Sequence, residues 1–278
     1  MSQLTDTHAH LQEEEFEPDR DAVIERARDA GVGTVVVPAI DLSTAQRAID
    51  LAERHDGIFA TAGYHPHEAR HLTEVASGRI EALLVHEKVV AVGEIGLDFY
   101  RMHSTREAQI EAFEAQLALA ERYRMPVVIH CRDAWTDMAS ILKPWAERVR
   151  ESFGERPLGV LHYFSGSVED AYRYLDAGFF ISVHTSVTHP KEQLLRRLAA
   201  LVVPLDALVL ETDSPYGAPQ SHRGRRNEPA YLVESARQMA VLKGISFDQV
   251  AEATSANARR LFGLGEDVQN EAVIGARS

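Results

Sequence analysis

Two histidines stand one residue apart near the start of the chain, His8 and His10 in the segment THAHL, and Asp6 precedes them. Because successive side chains of a strand point to opposite faces, these three side chains share one face of a strand. Imidazole and carboxylate groups together suit zinc, manganese, iron or magnesium. The segment therefore predicts one side of a metal site, although a motif this short also occurs by chance and needs partners elsewhere.

Side chains of the same kind recur later in the chain, each at or just after the end of a short apolar run. They are His65 in GYHPH, Glu94 in VGEIGLD, His130 in VVIHC, His162 in GVLHYF and Asp213 in LVLETDSPY. Together these groups exceed the needs of one tetrahedral ion and match two ions that share a bridging carboxylate, either Glu94 or Asp213. Two ions about 3.5–4 Å apart can hold a shared hydroxide as the nucleophile.

The elements that must position these groups follow from an alternation of short apolar runs with longer amphipathic stretches. The runs predicted as strands are QLTDTHA, GTVVVPA, IFATAGY, VVAVGEI, PVVIH, LGVLHY, FFISVH and ALVLET. Helical stretches between them include RDAVIERARDA, TAQRAIDLAERH, TREAQIEAFEAQLALAERY and KEQLLRRLAALV, whose leucines fall on one helical face. Eight such units predict a parallel sheet with helical crossovers.

We expect an α/β protein with a single (β/α)8 TIM barrel, because closing eight units into a barrel takes about 250 residues. An open doubly wound sheet is the competing fold. It usually has a glycine-rich loop after its first strand, and THAHLQEEE contains no glycine. The barrel is expected over residues 1–265, with a flexible tail over 266–278. Every candidate ligand then falls at the carboxyl end of a strand, where barrel enzymes build their active sites.

Composition limits the classes of partner and compartment. The formal net charge of −13 argues against a broad basic surface for duplex DNA, although metal ions and a few arginines can supply local positive charge. The single cysteine, Cys131, excludes an intramolecular disulfide framework and is compatible with a reducing cytoplasm. Neither a transmembrane run of about 18 apolar residues nor a secretory signal is visible. We therefore expect a cytoplasmic protein that does not enter the membrane.

The motifs THAHL, GYHPH, GEIGLD, VVIHCR, LHYFSG and ETDSPY, followed by RGRRNEP and SANARRLF, resemble the TatD family of metal-dependent hydrolases, in the amidohydrolase superfamily. The resemblance spans nearly the whole chain in the expected order. It implies a magnesium- or manganese-stimulated deoxyribonuclease, typically a 3′→5′ exonuclease on single-stranded DNA and sometimes RNA, with a role in DNA repair or degradation. Two divalent ions are implied as cofactors, with zinc as a further candidate.

The resemblance also implies roles for single residues. Metal ligands are implied at His8, His10, Glu94, His130, His162 and Asp213. Glu94 is implied to bridge the ions, Asp213 to bind metal and orient or deprotonate the attacking water, and His65 to lie near the scissile phosphate. The sequence departs from the family after strand seven, where SVHT, with His184 and Thr185, replaces a small Ser-Gly pair. That departure affects the substrate contacts of the rim.

Supporting residues surround these positions. We expect Asp6 and Asp98 to hold histidines or arginines rather than metal. Four arginines, whose forked donors suit phosphates, are candidate substrate contacts: Arg132, Arg223, Arg225 and Arg226. His184 either reaches the cleft or is a rim histidine with ordinary partners. Cys131 should point away from His130, into the layer between barrel and helices.

Two other functions remain open on sequence grounds. A small-molecule amidohydrolase, lactonase or phosphotriesterase could use the same barrel, but many such enzymes bridge two metals with a carboxylated lysine, and no lysine ends a predicted strand. A non-catalytic scaffold would not require six convergent ligands. Hydrolysis of single-stranded DNA or RNA at a two-metal centre is the favoured interpretation, in a protein expected to be a monomer.

Overall fold

A computed structural model describes residues 3–264, which form a parallel eight-stranded sheet in sequential order. Its strands are β1 (Leu4–Asp6), β2 (Val32–Val37), β3 (Ile58–Ala62), β4 (Val89–Asp98), β5 (Val127–Arg132), β6 (Gly159–Leu161), β7 (Phe179–His184) and β8 (Leu208–Glu211). The first and last strands meet: the amide of Thr7 donates to the carbonyl of Leu210 (3.0 Å), and Ala9 forms a parallel bridge with Ser214. The predicted (β/α)8 barrel is confirmed.

Helices cover the outside of the barrel. They are α1 (Arg20–Asp29), α2 (Leu42–Arg54), α3 (Glu74–Leu83), α4 (Arg106–Tyr123), α5 (Trp135–Phe153), α6 (Val168–Asp176), α7 (Gln193–Arg197), α8 (Leu232–Lys243) and α9 (Phe247–Phe262). Among residues 3–264, no helix has the length and apolar character needed to cross a bilayer. The tail expected over 266–278 lies outside the described residues.

The barrel interior is apolar at the amino ends of the strands and polar at their carboxyl ends. Six strands each contribute one inward apolar side chain to this cluster: Val36, Val90, Val128, Val160, Phe180 and Val209. Helix α9 closes this end with Ala258, Leu261 and Phe262. A capping box between Ser246 and Gln249 begins α9. Polar side chains are thereby left to fill the opposite end of the barrel.

One predicted helix differs from expectation. The stretch KEQLLRRLAALV was predicted to be one helix with its leucines on a single face. Instead α7 gives way to a π-helical turn over Leu198–Val202, where the amide of Val203 donates to the carbonyl of Leu198 at 2.9 Å. This wider turn breaks the 3.6-residue period. Leu201 is therefore 77 % exposed, and Leu194, at the start of the helix, is 49 % exposed.

Candidate metal centre

Strand alternation carries the polar groups of the interior to the barrel mouth. His130, His162 and Glu211 each follow an inward apolar residue of their strand by two positions, so they share its inward face. His184 follows Phe180 by four positions and also faces inward. The apolar floor and the polar mouth of the barrel are thus built from the same alternating pattern.

A break in strand register places Glu94. The pairing of β4 with β5 shifts between Val92 and Ile95, and Glu94 lies within that shift. Glycines allow the two strands to approach here: a β-carbon on Gly93 would come within 2.7 Å of the β-carbon of Val128. Gly96 has a φ of +140°, a region that favours glycine. The two glycines of the motif GEIG thus allow the backbone conformation that directs the Glu94 carboxylate into the barrel.

Five imidazoles lie within 4 Å of the Glu94 carboxylate, which is 2 % exposed; that of His10 is the farthest, at 3.9 Å. Its Oε2 lies 3.2 Å from His8 Nε2, and its Oε1 lies 3.0 Å from His130 Nδ1. The same Oε1 lies 3.5 Å from His65 Nε2 and 3.6 Å from His162 Nε2. One buried carboxylate is therefore within reach of ligand-type nitrogens from four different strands or the loops that follow them.

Asp213 supplies a second carboxylate at the β1–β8 seam. Its Oδ1 lies 3.5 Å from His10 Nε2 and 3.9 Å from both His8 Nε2 and His162 Nε2. Its amide donates to the carbonyl of His8 at 2.9 Å, and its φ of +56° is in the left-handed region that aspartate tolerates better than most residues. The closing of the barrel therefore sets this side chain against the histidine pair of THAHL.

The donor atoms gather into compact groups in which all ligand atoms lie within 4.8 Å of one another. The groups are His8, His10 and Asp213; His65, Glu94 and His130; and His8, His162 and Glu211. Imidazole nitrogen and carboxylate oxygen are donors that divalent ions such as Mn²⁺ and Zn²⁺ accept, and carboxylate suits Mg²⁺. The Nε2 atoms of His8 and His10 are 3.3 Å apart, a separation that fits two donors turned toward one cation. The residues present fit a metal centre.

The charges inside the cluster are strongly shifted. Burial alone would raise the pKa of Glu94, but His162, His8 and His65 together hold that pKa well below its usual value. Burial opposes protonation of His162, yet Glu211 and Glu94 raise its pKa to about 10. Burial, together with the stacked ring of His162 at 3.5 Å, lowers the pKa of His8 to about 3. His8 is thus neutral and keeps a lone pair for a cation.

Asp98, at the end of β4, fixes two imidazoles. Its Oδ2 lies 3.0 Å from His130 Nε2 and 2.9 Å from His67 Nε2. Burial would raise the pKa of Asp98, but these two histidines and the amide of Arg101 lower it. Asp98 therefore contacts the ring of His130 from the side opposite Glu94, and its supporting role in a metal centre stays a prediction.

Asp6 supports the site through the backbone. It is fully buried, and it accepts hydrogen bonds from the amide (2.9 Å) and hydroxyl (2.6 Å) of Thr212. The amide of His8 also donates to it at 3.3 Å. Burial raises the pKa of Asp6 to about 7. Among its described contacts Asp6 bonds no imidazole or guanidinium; instead it ties the segment before His8 to the end of β8.

Glu211 was missed by the sequence reasoning. Its carboxylate is 1 % exposed, lies 3.0 Å from His162 Nδ1, and accepts the amide of Tyr163 at 2.7 Å. The signal was present in the motif LVLETD, where Glu211 ends an apolar run in the same way that Glu94 does. A buried carboxylate at a strand end needs a cationic or hydrogen-bonding partner, which His162 supplies here.

The four candidate arginines differ in their surroundings. Arg132, Arg223 and Arg225 are exposed, and their side chains form no ion pair within residues 3–264. Arg226 instead lies 2.8 Å from Asp19 and covers the ring of Phe16. Its guanidinium therefore joins two loops of the barrel mouth, while the other three remain free to meet a ligand.

The rim after β7 is packed rather than open. His184 is 5 % exposed and stacks on Tyr163 with ring centroids 3.6 Å apart. Burial lowers the pKa of His184 to about 4, and its Nδ1 has no hydrogen-bond partner within the described residues. The hydroxyl of Thr185 donates to the carbonyl of Gly217. Cys131 is buried in the layer outside the barrel, as expected, and burial raises its thiol pKa.

A parallel barrel with imidazoles and carboxylates gathered where its strands end belongs to the class of metal-dependent barrel hydrolases. A family model described as TatD related DNase matches residues 5–263. The chain belongs to this family, which confirms the resemblance found in the sequence motifs.

Individual relatives agree with that assignment. The chain is 40 % identical over 259 residues to the uncharacterized metal-dependent hydrolase YabD of Bacillus subtilis, covering 93 % of this chain and 98 % of YabD. It is 39 % identical over 268 residues to the 3′-5′ ssDNA/RNA exonuclease TatD of Musicola paradisiaca, covering 95 % and 99 % of the two chains.

Solved structures show the same architecture. YJJV, a TatD homologue from Escherichia coli, superposes with a TM-score of 0.86 at 32 % identity, covering 95 % of this chain and 99 % of YJJV. A lactonase variant from Deinococcus radiodurans shares only the fold, with a TM-score of 0.60 at 16 % identity over 95 % of this chain and 96 % of the lactonase.

Proposed function

We propose that this protein is a metal-dependent nuclease that hydrolyses phosphodiester bonds of single-stranded DNA or RNA, proceeding from the 3′ end. Membership of a DNase family supports the general class, a hydrolase of ester bonds. The relative from Musicola paradisiaca, named as a 3′-5′ ssDNA/RNA exonuclease, supports the substrate and direction. The observation that carries the proposal is the convergence of imidazoles from separate strands on the buried carboxylate of Glu94.

Two divalent ions, Mg²⁺ or Mn²⁺ and with Zn²⁺ as a further candidate, are the cofactors in this proposal. His8, His10, Glu94, His130, His162 and Asp213 would hold them, with Glu94 placed between the histidines that surround it. When bound, such ions lower the pKa of water and neutralise charge on a phosphate.

The protein's own groups orient the reaction. Asp213 is the most accessible carboxylate of the cluster, with 14 % of its side chain exposed, so it is placed to receive a proton from the attacking water. His65 Nε2 lies 3.5 Å from Glu94 Oε1, and because His65 Nδ1 accepts the amide of His67, Nε2 would donate to a non-bridging oxygen of a phosphate bound there. Asp98 keeps the ring of His130 fixed during the reaction. Arg132, Arg223 and Arg225 bind phosphates along the substrate.

The physiological setting follows from the proposed activity. Degradation of single strands suits a role in DNA repair or in nucleic acid turnover. Cytoplasmic location is supported by a single buried cysteine, and we expect the protein to act as a monomer.

The test is hydrolysis of a single-stranded oligonucleotide with Mg²⁺ or Mn²⁺. A 5′ label should reveal stepwise shortening from the 3′ end. Glu94→Ala and Asp213→Ala should lower the rate by at least about 100-fold if each removes a group of the metal centre. Absence of cleavage with every divalent ion, or turnover of lactones or phosphotriesters alone, would contradict the proposal. The small-molecule alternative has weaker support, since no lysine stands at the carboxyl end of a strand within residues 3–264.

A further inference from the structure

Exposed aromatic rings lie beside the candidate metal centre. Within residues 3–264, three of the large exposed apolar side chains sit in loops that follow strands at the barrel mouth: Tyr100 (59 % exposed), Met102 (47 %) and Tyr216 (52 %). The other large exposed apolar side chains lie on helices, in the turn that continues α7, or in the loop before β4. Scattered single apolar residues are ordinary on a surface, but rings that border an active site are available to a ligand.

Tyr216 lies against one half of the cluster. Its ring packs edge-to-face on His10, with centroids 6.0 Å apart and an interplanar angle of 71°. Its amide donates to the carbonyl of Asp213 at 2.9 Å, and its carbonyl accepts from the buried amide of Asn227 at 2.7 Å. The backbone beneath the ring is therefore fixed, while about half of the side chain faces solvent next to a candidate ligand.

Tyr100 lies in the loop after β4, and its backbone contacts the carboxylate beside the other half of the cluster. Its amide donates to Oδ1 of Asp98 at 3.0 Å, and Asp98 is the carboxylate that holds His130. The guanidinium of Arg132 lies 3.9 Å from the ring centroid of Tyr100, so the ring and the cation form one stacked pair. Arg132 has no ion pair within the described residues, which leaves its charge available to a phosphate.

The two rings lie across the barrel from each other. Tyr216 follows β8 and Tyr100 follows β4, and in a closed sheet three strands lie between β4 and β8 on either side. A strand of nucleic acid that crosses the mouth can therefore set one base against each ring, with the intervening phosphate over Glu94. We propose that Tyr216 and the Tyr100–Arg132 pair are stacking platforms for two bases on either side of the scissile phosphate. This inference rests on the proposed nuclease function and defines how its substrate binds.

The arrangement selects for single strands. In a duplex each base face is covered by its neighbours, so two adjacent bases cannot part to reach opposite rings without unpairing and unstacking. Base–aromatic stacking also tolerates any sequence, because every base has a π face. Such binding needs few cations, which suits a protein with a net charge of −13.

The experiment pairs a protein change with a substrate change. Tyr216→Ala and Tyr100→Ala are each tested on a 12-nucleotide single strand and on strands with an abasic site at the 3′-terminal or the penultimate nucleotide. On the complete strand each variant should raise KM about 5- to 100-fold, with kcat changed far less. For each tyrosine, one of the two abasic strands should abolish the difference between variant and wild type, because the stacked base is already missing. Tyr216→Phe should behave as wild type.

Tyr172 provides a matched control, because it is also 52 % exposed but lies on α6, away from the mouth. Tyr172→Ala should leave KM unchanged on every strand. The proposal is overturned if Tyr216→Ala and Tyr100→Ala leave KM unchanged, or if their effects persist in full on both abasic strands.

A binding measurement separates this inference from the proposed function. Fluorescence anisotropy with a labelled strand in EDTA reports stacking without turnover. Loss of affinity in both alanine variants supports the platforms even if no divalent ion produces cleavage, an outcome that would overturn only the nuclease activity. Unchanged affinity together with metal-dependent cleavage would overturn only the platforms.

Discussion

At the scale of single residues, the proposed metal centre contains carboxylates that hold histidines as well as carboxylates that would face a cation. Asp98 fixes His130, and Glu211 fixes His162 at 3.0 Å. Such partners set which ring nitrogen carries the proton and which is free for a metal. Because Glu211 also accepts the amide of Tyr163 at 2.7 Å, it anchors the backbone beside the ring.

We predict that Glu211→Gln lowers Mn²⁺ affinity or hydrolytic activity by about 10- to 100-fold, the range found when partners of ligating histidines are removed. The amide retains the volume of the carboxylate but loses the charge that favours the present orientation of His162. Titration calorimetry with Mn²⁺ and the single-strand assay measure the two effects.

Glu234 offers a matched control for Glu211, because it lies 3.1 Å from His222 in a half-buried pair outside the cluster. Glu234→Gln should leave the Mn²⁺ affinity and the hydrolytic activity unchanged. If Glu211→Gln and Glu234→Gln had the same Mn²⁺ affinity and hydrolytic activity, the charge of Glu211 would not contribute to either.

At the scale of elements, β4 is the strand whose backbone departs most from regular pairing. All ten of its residues are buried, and the register shift that places Glu94 is bounded by glycines. A β-carbon on Gly96 would overlap the carbonyl of His130, and a φ of +140° is strained for any other residue. The location of the Glu94 carboxylate is thus determined by two glycines, Gly93 and Gly96.

We predict that Gly96→Ala destabilises the protein by about 3 kcal/mol or more, since it combines steric overlap with an unfavourable backbone conformation. Gly78→Ala, in the middle of α3 where an added β-carbon meets no atom within 4 Å, should instead stabilise by about 0.5–1 kcal/mol. Urea unfolding of both variants measures these opposite changes in the free energy of unfolding. A small effect at Gly96 would mean that β4 and β5 can separate there without cost.

The elements were largely predictable from sequence, and their contacts were not. All eight strands coincide with the predicted runs, because β-branched side chains buried on both faces leave a clear pattern. The candidate ligands could be grouped because parallel strands end on the same side, whatever their separation in sequence. The roles of Glu94, Asp213 and the arginines as ligands or substrate contacts stay predictions.

The features that could not be predicted from the sequence depend on tertiary contacts. The pairing of Arg226 with Asp19 joins residues 207 positions apart, and no local pattern signals it. The π-helical turn after α7 likewise replaces a regular leucine face. The stacking of His184 on Tyr163 depends on the packing between β7 and the loop after β6, which the motif SVHT does not specify.

At the scale of the whole molecule, charged side chains join the loops after the first and last strands. Asp19 lies 2.8 Å from Arg226 and 3.1 Å from Arg26, which in turn lies 2.7 Å from Glu228. The hydrogen bonds from Arg226, opposed by some burial and assisted by Arg26, lower the pKa of Asp19 to about 2. A carboxyl whose pKa is depressed on folding contributes stability above its unfolded pKa and loses it as the pH falls.

We predict that Asp19→Asn costs about 1 kcal/mol at pH 7, as expected for a partly exposed network of ion pairs. The difference from wild type should persist down to about pH 4 and shrink toward pH 2, as the wild-type carboxyl becomes protonated. Urea unfolding at a series of pH values measures this difference in the free energy of unfolding. Glu17→Gln, an exposed change in the same loop, should show no such trend, and a pH-independent cost at Asp19 would contradict the ion-pair explanation.

The seam between β1 and β8 has a consequence for biosynthesis. His8 and Asp213 are 205 residues apart in the sequence, and the carbonyl of His8 meets the amide of Asp213, with their side chains in one candidate group, only after β8 has been made. A nascent chain in which β8 has not yet been made therefore carries histidines that cannot complete their cluster. Synthesis of β8 is thus the step after which the proposed metal centre can first assemble.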